Sequence, residues 1–363
     1  MLRRIFVFIF LTFILCGCTR VQEKNVVTFS TWGSITETKI IKELITEFEK
    51  ENPDIKIKLI HIPQNYFQKV HLLFASNTPP DVLFINNLNI PIYEKHLEDL
   101  SKIVEKKDFY QQSIDGLTYN NKLLAVPRDI SNLVLYINLD KMDLPNENWS
   151  IEELLSSAQK TKDSNTFGIS FEKDIYWTMP YLAYFGGDFI NNNELAIESS
   201  NSKIGLNFYI DLRDKYKVAP NDADIGSSTL AQMFLDKKLV MYLSGRWMYP
   251  IITQKADFNW AVINFPYGKG EQVCDVSGWA ISKSSKNKEN AIKFLKFLTS
   301  QKSSEYFTNT GLIVPARIDT SKKLNKTEHN EKVFLEVIKK SKNTPVCKNY
   351  KKLTDEVNLK YLN

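Results

Sequence analysis

The sequence has 363 residues, of which 43% are hydrophobic and 25% are charged, so it predicts a folded chain of about two domains rather than a disordered one. The formal net charge of +5 is too weak to indicate a nucleic-acid-binding protein. The four cysteines are too few for a disulfide-rich scaffold, and the cysteines and four histidines lack zinc-ligand spacing.

The first 25 residues have the pattern of an export signal. Arg3 and Arg4 precede an apolar stretch, residues 5–15, that is too short to cross a bilayer as a helix of about 20 residues. The next segment, LCGC at 15–18, resembles the lipobox of bacterial lipoproteins, in which the last cysteine is acylated. We therefore predict a signal peptide at residues 1–17, lipidation at Cys18 and a tether at residues 18–25. Ordinary cleavage, which would leave Cys18 as a free thiol, is the alternative.

Strands and helices alternate from residue 26 onward. The pattern predicts strands at 26–30, 55–60 and 81–85, a helix capped by Ser34, and a second helix at 66–75. This βαβαβ order is typical of a parallel or mixed sheet with helices on its faces, in which ligands bind beyond the carboxyl ends of the strands.

A second α/β region is predicted from about residue 130. It contains strands at 133–139, 167–170 and 239–243, and helices at 204–216 and 287–300. No Pro- or Gly-rich linker separates the two regions, so we expect the chain to pass between them more than once.

Six short segments of the chain form a series. They are FSTW at 29–32 with NPD at 52–54; PPDVL at 79–83; YNNKLLAVP at 119–127 with LYIN at 135–138; NWSIEEL at 148–154; YFGGD at 184–188; and FLDKKLVM at 234–241 with SGRW at 244–247 and GWAIS at 278–282. Each segment alone is weak. In this order, behind a lipobox, they resemble the extracellular solute-binding proteins of bacterial ABC importers, the large sugar-binding family that includes maltose-binding protein.

The resemblance implies an α/β protein with a two-lobed periplasmic-binding-protein fold of type II. Each lobe would be a mixed sheet flanked by helices, with three interlobe crossovers near residues 128–131, 275–279 and 314–317. The expected N-terminal lobe is 26–129 plus 280–315, and the expected C-terminal lobe is 130–279 plus 316–363. The ligand would lie between the lobes of a monomer, which would close on it and deliver it to the permease subunits of an ABC transporter.

One segment departs from the family pattern. Lys237 stands where the pattern has a glycine before the strand at 239–243. A lysine can replace that glycine if the turn does not need a positive φ angle, and the fold expectation is unchanged.

A sugar site needs aromatic rings that stack on the apolar faces of sugar rings. The loops that the resemblance assigns to the cleft carry Trp32, Tyr176, Trp177, Trp247 and Trp279. We predict these as ligand-binding residues, and packing within a lobe is the alternative for each tryptophan. Trp149 and Trp260 are predicted to pack within the protein instead.

The sugar hydroxyls need planar polar partners such as Asp, Asn and Arg. The candidates, all near predicted strand ends, crossovers or glycine turns, are Asn86, Arg128, Asp129, Asp188, Arg246 and Arg317. Arg128 and Asp129 could instead form a salt bridge at the hinge, and Arg246 could hold either a ligand oxygen or an acidic residue across the cleft. A structural role for Arg317 is an equal alternative.

Cys274 and Cys347 remain in the mature chain besides Cys18, and an oxidising compartment makes a disulfide between them one hypothesis. Two buried free thiols are the other. No nucleophile elbow, phosphate-binding loop or dinucleotide-binding motif occurs, so we expect neither an enzyme nor a cofactor.

The sequence therefore favours a sugar-binding lipoprotein of an ABC importer. Two alternatives remain open: the same fold binding another solute, such as glycerol phosphate, a polyamine or a metal chelate, and a surface or sensor lipoprotein without a transport role.

Overall fold

The computed structural model describes residues 25–324 and 329–363. The predicted signal peptide, the lipidation site Cys18 and nearly all of the tether lie outside these residues. Within the described part, no helix is long and apolar enough to cross a membrane.

The predicted βαβαβ unit is present at the start of the described chain. It consists of β1 (Val26–Thr31), α1 (Ile35–Glu51), β2 (Lys56–His61), α2 (Tyr66–Ala75) and β3 (Val82–Asn86). β1 lies between β2 and β3 and pairs in parallel with both. The carboxyl ends of these strands therefore meet at one edge of the sheet, as predicted for a ligand-binding fold of this class.

The remaining elements follow the alternation of the sequence. Two short helices come next, α3 (Ile90–Tyr93) and α4 (Gln111–Gly116). The strands of the middle third are β4 (Thr118–Tyr119), β5 (Lys122–Leu123), β6 (Val126–Asn132), β7 (Val134–Asn138), β8 (Phe167–Ile169), β9 (Ile190–Asn191) and β10 (Glu194–Leu195). Its helices are α5 (Ile151–Thr161), α6 (Ile175–Tyr184), α7 (Ser200–Asp214), α8 (Asp222–Ile225) and α9 (Leu230–Leu235). The last third contains β11 (Leu239–Ser244), α10 (Tyr249–Lys255), β12 (Trp260–Ile263), β13 (Gln272–Ile281), α11 (Lys288–Leu298), α12 (Gln301–Thr308), β14 (Val314–Pro315), α13 (Ile318–Leu324), α14 (His329–Lys339), β15 (Ser341–Asn343) and α15 (Tyr350–Val357).

The strands form two main sheets, one for each lobe. The large sheet has the order β14-β6-β13-β3-β1-β2, with β15 also paired to β13, and the small sheet has the order β12-β7-β11-β8. Both are mixed, because β13 runs antiparallel to β3 and β6, and β11 runs antiparallel to β7 but parallel to β8. The α/β class with mixed sheets is confirmed.

The lobe boundaries expected from the sequence stay predictions, and the strands bear on where they can lie. The boundaries expected after residues 129 and 279 fall inside β6 and β13, whose pairing with each other continues from Val126 to Asn132. β15, expected in the second lobe, hydrogen-bonds to β13 of the large sheet. β6 continues past residue 129 because it remains paired with β13, and β13 continues past residue 279 because it remains paired with β3.

Each lobe has a core of aromatic and aliphatic side chains. In the large lobe Phe29 packs edge-on against Trp279 and Phe294, and in the small lobe Tyr209 stacks on Phe171 with ring centroids 4.5 Å apart. Trp149 is buried as predicted, and its indole nitrogen donates to the carbonyl of Asn264 (3.2 Å). These cores fix the strand ends that face the other lobe.

Two further expectations from the sequence are settled by the backbone and the cysteines. Lys237 has a φ angle of 60°, so the turn does need a positive φ, and the lysine occupies a left-handed conformation that favours glycine.

Cys274 and Cys347 are both buried and free, so the disulfide hypothesis is wrong for this structure and the two-thiol alternative is the observed one.

Candidate ligand-binding site

A cavity of about 840 Å³ lies where residues of the two lobes face each other. The large lobe contributes the loop after β1, the end of β3 and parts of β6 and β13, through residues such as Trp32, Asn86 and Ser277. The small lobe contributes Tyr176 at the start of α6 and Trp247 after β11. The volume falls in the range typical of small-molecule sites.

The wall from the large lobe is apolar and partly exposed. The Trp32 ring lies 5.3 Å from the Phe84 ring, and it remains 41% exposed. Ile35, in the first turn of α1, is also exposed and lines the cavity. An exposed indole supported from behind by a buried ring is a suitable platform for an apolar ligand face.

The loop that carries Trp32 is held by hydrogen bonds. The Nε2 atom of His61, at the end of β2, lies 3.0 Å from both the Gly33 carbonyl oxygen and the Thr38 hydroxyl. The Thr31 hydroxyl donates to the carbonyl of Trp32 itself (3.0 Å). These contacts order the backbone on both sides of the indole, which lowers the entropy lost when a ligand binds.

Trp247 forms the facing aromatic wall from the small lobe. Its ring lies so close to Gly245 that a Cβ atom at residue 245 would be 1.9 Å from Trp247 Cζ3. The Tyr136 hydroxyl donates to the Gly245 carbonyl (2.9 Å), and the Trp177 ring lies edge-on to Trp247 with centroids 6.3 Å apart. The indole is therefore fixed by the backbone below it and by a second ring beside it.

An ion-pair network lies on the large-lobe side of the cavity. Arg128 Nη1 donates to Glu37 Oε1 (2.6 Å), and Arg128 Nη2 donates to Asp129 Oδ2 (2.7 Å). The Ser277 hydroxyl donates to the other oxygen of Asp129. Burial alone would lower the pKa of Arg128, but the charges of Asp129 and Glu37 outweigh that effect and raise it. The hinge salt bridge considered for Arg128 and Asp129 is present, and both residues also line the cavity.

Asp275 of β13 is a further carboxylate in the cavity lining. Burial raises the pKa of this carboxyl, and hydrogen bonds from Thr344 and Asn87 offset only part of the rise. The facing Tyr176 phenol also has a pKa well above its ordinary value, because the protein around it desolvates it and Asp275 adds negative charge nearby.

The structure brings together six of the eleven ligand-binding residues predicted from the sequence. These six line the cavity: Trp32, Asn86, Arg128, Asp129, Tyr176 and Trp247. Trp177 does not line it but supports Trp247, as described above. Direct contact between any of them and a ligand stays a prediction.

Three other predicted residues do not line the cavity, and each forms an ion pair with another side chain of this protein. Lys342 Nζ contacts both carboxylate oxygens of Asp188 (2.8 and 2.9 Å). Arg246 is buried and pairs with Glu331 of α14 (2.8 Å), which matches the alternative of an acidic partner. Arg317 donates to Asp319 (2.7 Å) and has the structural role given as its alternative.

Trp279 was expected to stack on the ligand, and this prediction is wrong. Its side chain is 0% exposed and packs against Phe29 and Phe84, with ring centroids 5.0 and 5.7 Å away. The pairing of β13 with β6 shifts register between Ser277 and Gly278. The extra residue at this bulge is Arg128 of β6, and β13 keeps a regular pairing with β3 from Ser277 to Ile281. Trp279 therefore lies on the same face of β13 as Ser277 but two residues farther from the cavity edge, opposite Phe84, where it packs in the core.

Several cavity residues escaped the sequence analysis. Glu37 follows the cap residue Ser34 at capping-box spacing, and its backbone N–H donates to the Ser34 side chain, but its carboxylate is used by Arg128. His61 and Asp275 carry no local motif, and only their positions at a strand end and at a predicted crossover could have indicated them. In the part of the chain that the structure describes, no group of three or more His, Cys, Asp or Glu side chains could hold a metal ion.

Two mixed α/β lobes around a cavity with aromatic walls from both sides define a two-lobed solute-binding protein. The pattern that characterises the family of bacterial extracellular solute-binding proteins matches residues 32–305. The chain therefore belongs to this family.

Two known relatives align with most of this chain. The galactooligosaccharide-binding protein of Bacillus subtilis is 25% identical over 300 residues, covering 76% of this chain and 69% of the relative. The maltodextrin-binding protein MdxE of the same species is 23% identical over 321 residues, covering 82% of this chain and 75% of the relative.

Solved structures show the same fold at low sequence identity. The ABC substrate-binding protein Lmo0181 from Listeria monocytogenes, in complex with cycloalternan, has a TM-score of 0.85, 24% identity and 93% coverage of both chains. The GacH receptor of Streptomyces glaucescens has a TM-score of 0.83 and 23% identity, covering 94% of this chain and 93% of the other.

Proposed function

We propose that this protein captures a sugar in the cavity between its lobes and delivers it to the permease of an ABC transporter. The relatives named above are galactooligosaccharide- and maltodextrin-binding proteins, and the structural neighbour from Listeria holds cycloalternan. These similarities support a saccharide ligand for this chain.

The observation that carries the proposal is the placement of two tryptophans on opposite sides of one cavity. Trp32 belongs to the large lobe and Trp247 to the small lobe, and both line the same space. Sugar rings have apolar C–H faces that stack on indoles, and their hydroxyls need planar hydrogen-bonding partners. Asn86 and Gln64, whose amide groups line the cavity, can supply such partners beside the aromatic walls.

The electrostatics of the cavity disfavour one of the alternatives, an anionic solute such as glycerol phosphate. Arg128 is the single guanidinium or ammonium group among the described residues that line the cavity. It is already paired with the carboxylates of Glu37 and Asp129. A phosphate would need several free cationic donors, which the cavity lining does not offer.

A ligand that touches both lobes favours the closed arrangement by its higher affinity for that state. We propose that closure presents the loaded protein to the permease. We further propose that the protein is a monomer, held outside the cytoplasmic membrane by the lipid on Cys18. The similarity to the ABC substrate-binding protein from Listeria supports delivery to a permease, and the LCGC segment at 15–18 supports the anchor.

The test is a thermal-shift screen of the mature chain without its lipid anchor. A panel of neutral mono- and oligosaccharides should contain at least one that raises the Tm, because binding to the folded state adds RT ln(1 + [L]/Kd) to its stability. Trp247→Ala should reduce that shift, while Trp149→Ala, outside the cavity, serves as the packing control. A panel without any stabilising saccharide would contradict the proposed function.

A further inference from the structure

The cavity contains one carboxylate without a cationic partner. Its lining includes the carboxylates of Glu37, Asp129 and Asp275 and the guanidinium of Arg128, a net formal charge of −2 when all are ionised (three carboxylates, one guanidinium). Arg128 is occupied by Glu37 and Asp129. Among the residues that the structure describes, no lysine or arginine forms an ion pair with Asp275.

The surroundings of Asp275 supply few hydrogen bonds. Asn87 Nδ2 lies 3.3 Å from Asp275 Oδ1, and the amide is oriented by the backbone N–H of Val276, which donates to its Oδ1 atom (3.0 Å). Thr344 provides the other hydrogen bond. A carboxylate can accept about four hydrogen bonds, so Asp275 retains acceptor capacity.

The titratable groups that face Asp275 carry no positive charge. They are the phenols of Tyr176 and Tyr350 and the thiol of Cys274, and the negative charge of Asp275 contributes to the raised pKa of each. A partly buried carboxylate with such neighbours is costly to ionise unless a donor or a cation approaches from the cavity.

We propose that Asp275 binds a protonated amino group of the ligand, so that the cavity selects amino sugars over neutral sugars and rejects sugars that carry a carboxylate or a phosphate. This inference rests on the proposed saccharide-binding function. An ammonium group would form a charge-assisted hydrogen bond, which is about twice as strong as the bond of a neutral hydroxyl. The aromatic walls of Tyr176 and Trp247 also attract cations.

A matched pair of trisaccharides tests the assignment. The β-1,4-linked glucosamine trimer and the β-1,4-linked glucose trimer differ only in the amino or hydroxyl group at C2 of each ring. At pH 6 we expect the glucosamine trimer to bind about tenfold more tightly by calorimetry. Asp275→Asn should remove this preference, whereas Asp54→Asn, at an exposed turn, should retain it. Equal or weaker binding of the glucosamine trimer, or a preference that survives in Asp275→Asn, would overturn the proposal.

A second measurement separates recognition from structure. Without ligand, Asp275→Asn should raise the Tm, because the variant removes a desolvated charge but keeps the side-chain size. A lower Tm would show that the carboxylate stabilises the fold and would overturn the assignment. Binding of neutral saccharides alone would leave the proposed function standing and reject the amino-sugar preference, whereas no binding by any saccharide would reject both.

Discussion

The indole of Trp247 occupies the space in which a side chain on Gly245 would stand. A Cβ atom added to Gly245 would lie 1.9 Å from Cζ3 and 2.3 Å from Cη2 of Trp247, far inside van der Waals contact. Gly245 has a φ angle of −104°, so glycine is required here by close approach and not by backbone conformation. The glycine in the SGRW segment thereby determines where an aromatic wall of the cavity lies.

Gly245→Ala should therefore move the Trp247 ring and weaken binding of the saccharide found in the screen by about tenfold or more, since tenfold corresponds to about 1.4 kcal/mol. Titration calorimetry and tryptophan fluorescence measure the affinity and the ring's environment. Gly226→Ala is the matched control: it strains a positive φ of 56° on the surface and should lower stability without changing affinity. Unchanged affinity in Gly245→Ala would contradict this role of the glycine.

Trp247 and Trp279 should behave differently when each is replaced by alanine. Stacking on a sugar removes on the order of 100 Å² of apolar area from water, worth about 2.5 kcal/mol, so Trp247→Ala should weaken binding roughly tenfold to a hundredfold. Trp279 is fully buried, so Trp279→Ala should lower the free energy of unfolding by about 3–5 kcal/mol. Chemical denaturation and ligand titration of both variants check the two outcomes. A stable Trp279→Ala protein with lost affinity would reverse the assignment.

These two tryptophans also show where prediction from sequence ends. SGRW at 244–247 and SGW at 277–279 are locally alike, and both follow or lie within a strand. What separates them is their tertiary position: Trp247 follows the end of β11, whereas Trp279 lies inside β13, which is covered on both sides by β3 and by β6, a strand more than 140 residues earlier in the sequence. Local periodicity predicted most strands and helices to within a few residues, because the spacing of apolar side chains determines them.

The ion pairs of the site were also hard to predict from the sequence, because the paired residues lie far apart along the chain. The sequence predicted Arg128 and Asp129 but not Glu37, whose carboxylate reaches Arg128 across 91 residues. The capping-box spacing from Ser34 accounts for a glutamate at residue 37 without any distant partner. Long-range ion pairs depend on how elements pack, which spacing along one segment does not encode.

Arg128→Ala should be strongly destabilising. The guanidinium is buried between Glu37 and Asp129, and its removal would leave two carboxylates without their counter-ion. Breaking a buried pair of this kind costs about 3–5 kcal/mol. Glu37→Gln should cost less, because Arg128 would retain Asp129. Urea denaturation of both variants measures the difference, and a smaller loss in Arg128→Ala than in Glu37→Gln would contradict the expected order.

Lys237→Gly should stabilise the protein by about 0.5–1 kcal/mol. The lysine has a φ of 60°, and a left-handed conformation costs a residue with a Cβ atom about 1–2 kcal/mol. Part of this gain is offset by the greater flexibility of glycine in the unfolded chain and by the loss of the exposed contact with Asp257 (3.1 Å). A thermal melt checks the prediction, with Lys238→Gly next to it as the control that should destabilise. A lower Tm for Lys237→Gly would show that the contact with Asp257 outweighs the backbone strain.

The stability of the protein without ligand should depend on Asp275 in a defined pH range. The pKa of this carboxyl is raised in the folded state, so its protonated form contributes stability that is fully present below about pH 4, the unfolded value, and is lost as pH rises through the folded value. Asp275→Asn lacks this titration, so its advantage in free energy of unfolding should grow from pH 4 to neutrality. A difference that stays constant across that range would contradict the raised pKa.

The position of β13 has a consequence for the order in which the protein can fold. This strand, formed by residues 272–281, lies in the middle of the large sheet between β6 and β3, and β15 at 341–343 pairs with it. The first 132 residues therefore cannot complete their own sheet until nearly the whole chain is available. Sheets that depend on such distant pairing form slowly. While the chain is being made, the large sheet therefore stays open at its centre until residues 272–281 have been added, and it lacks its last strand until residue 343.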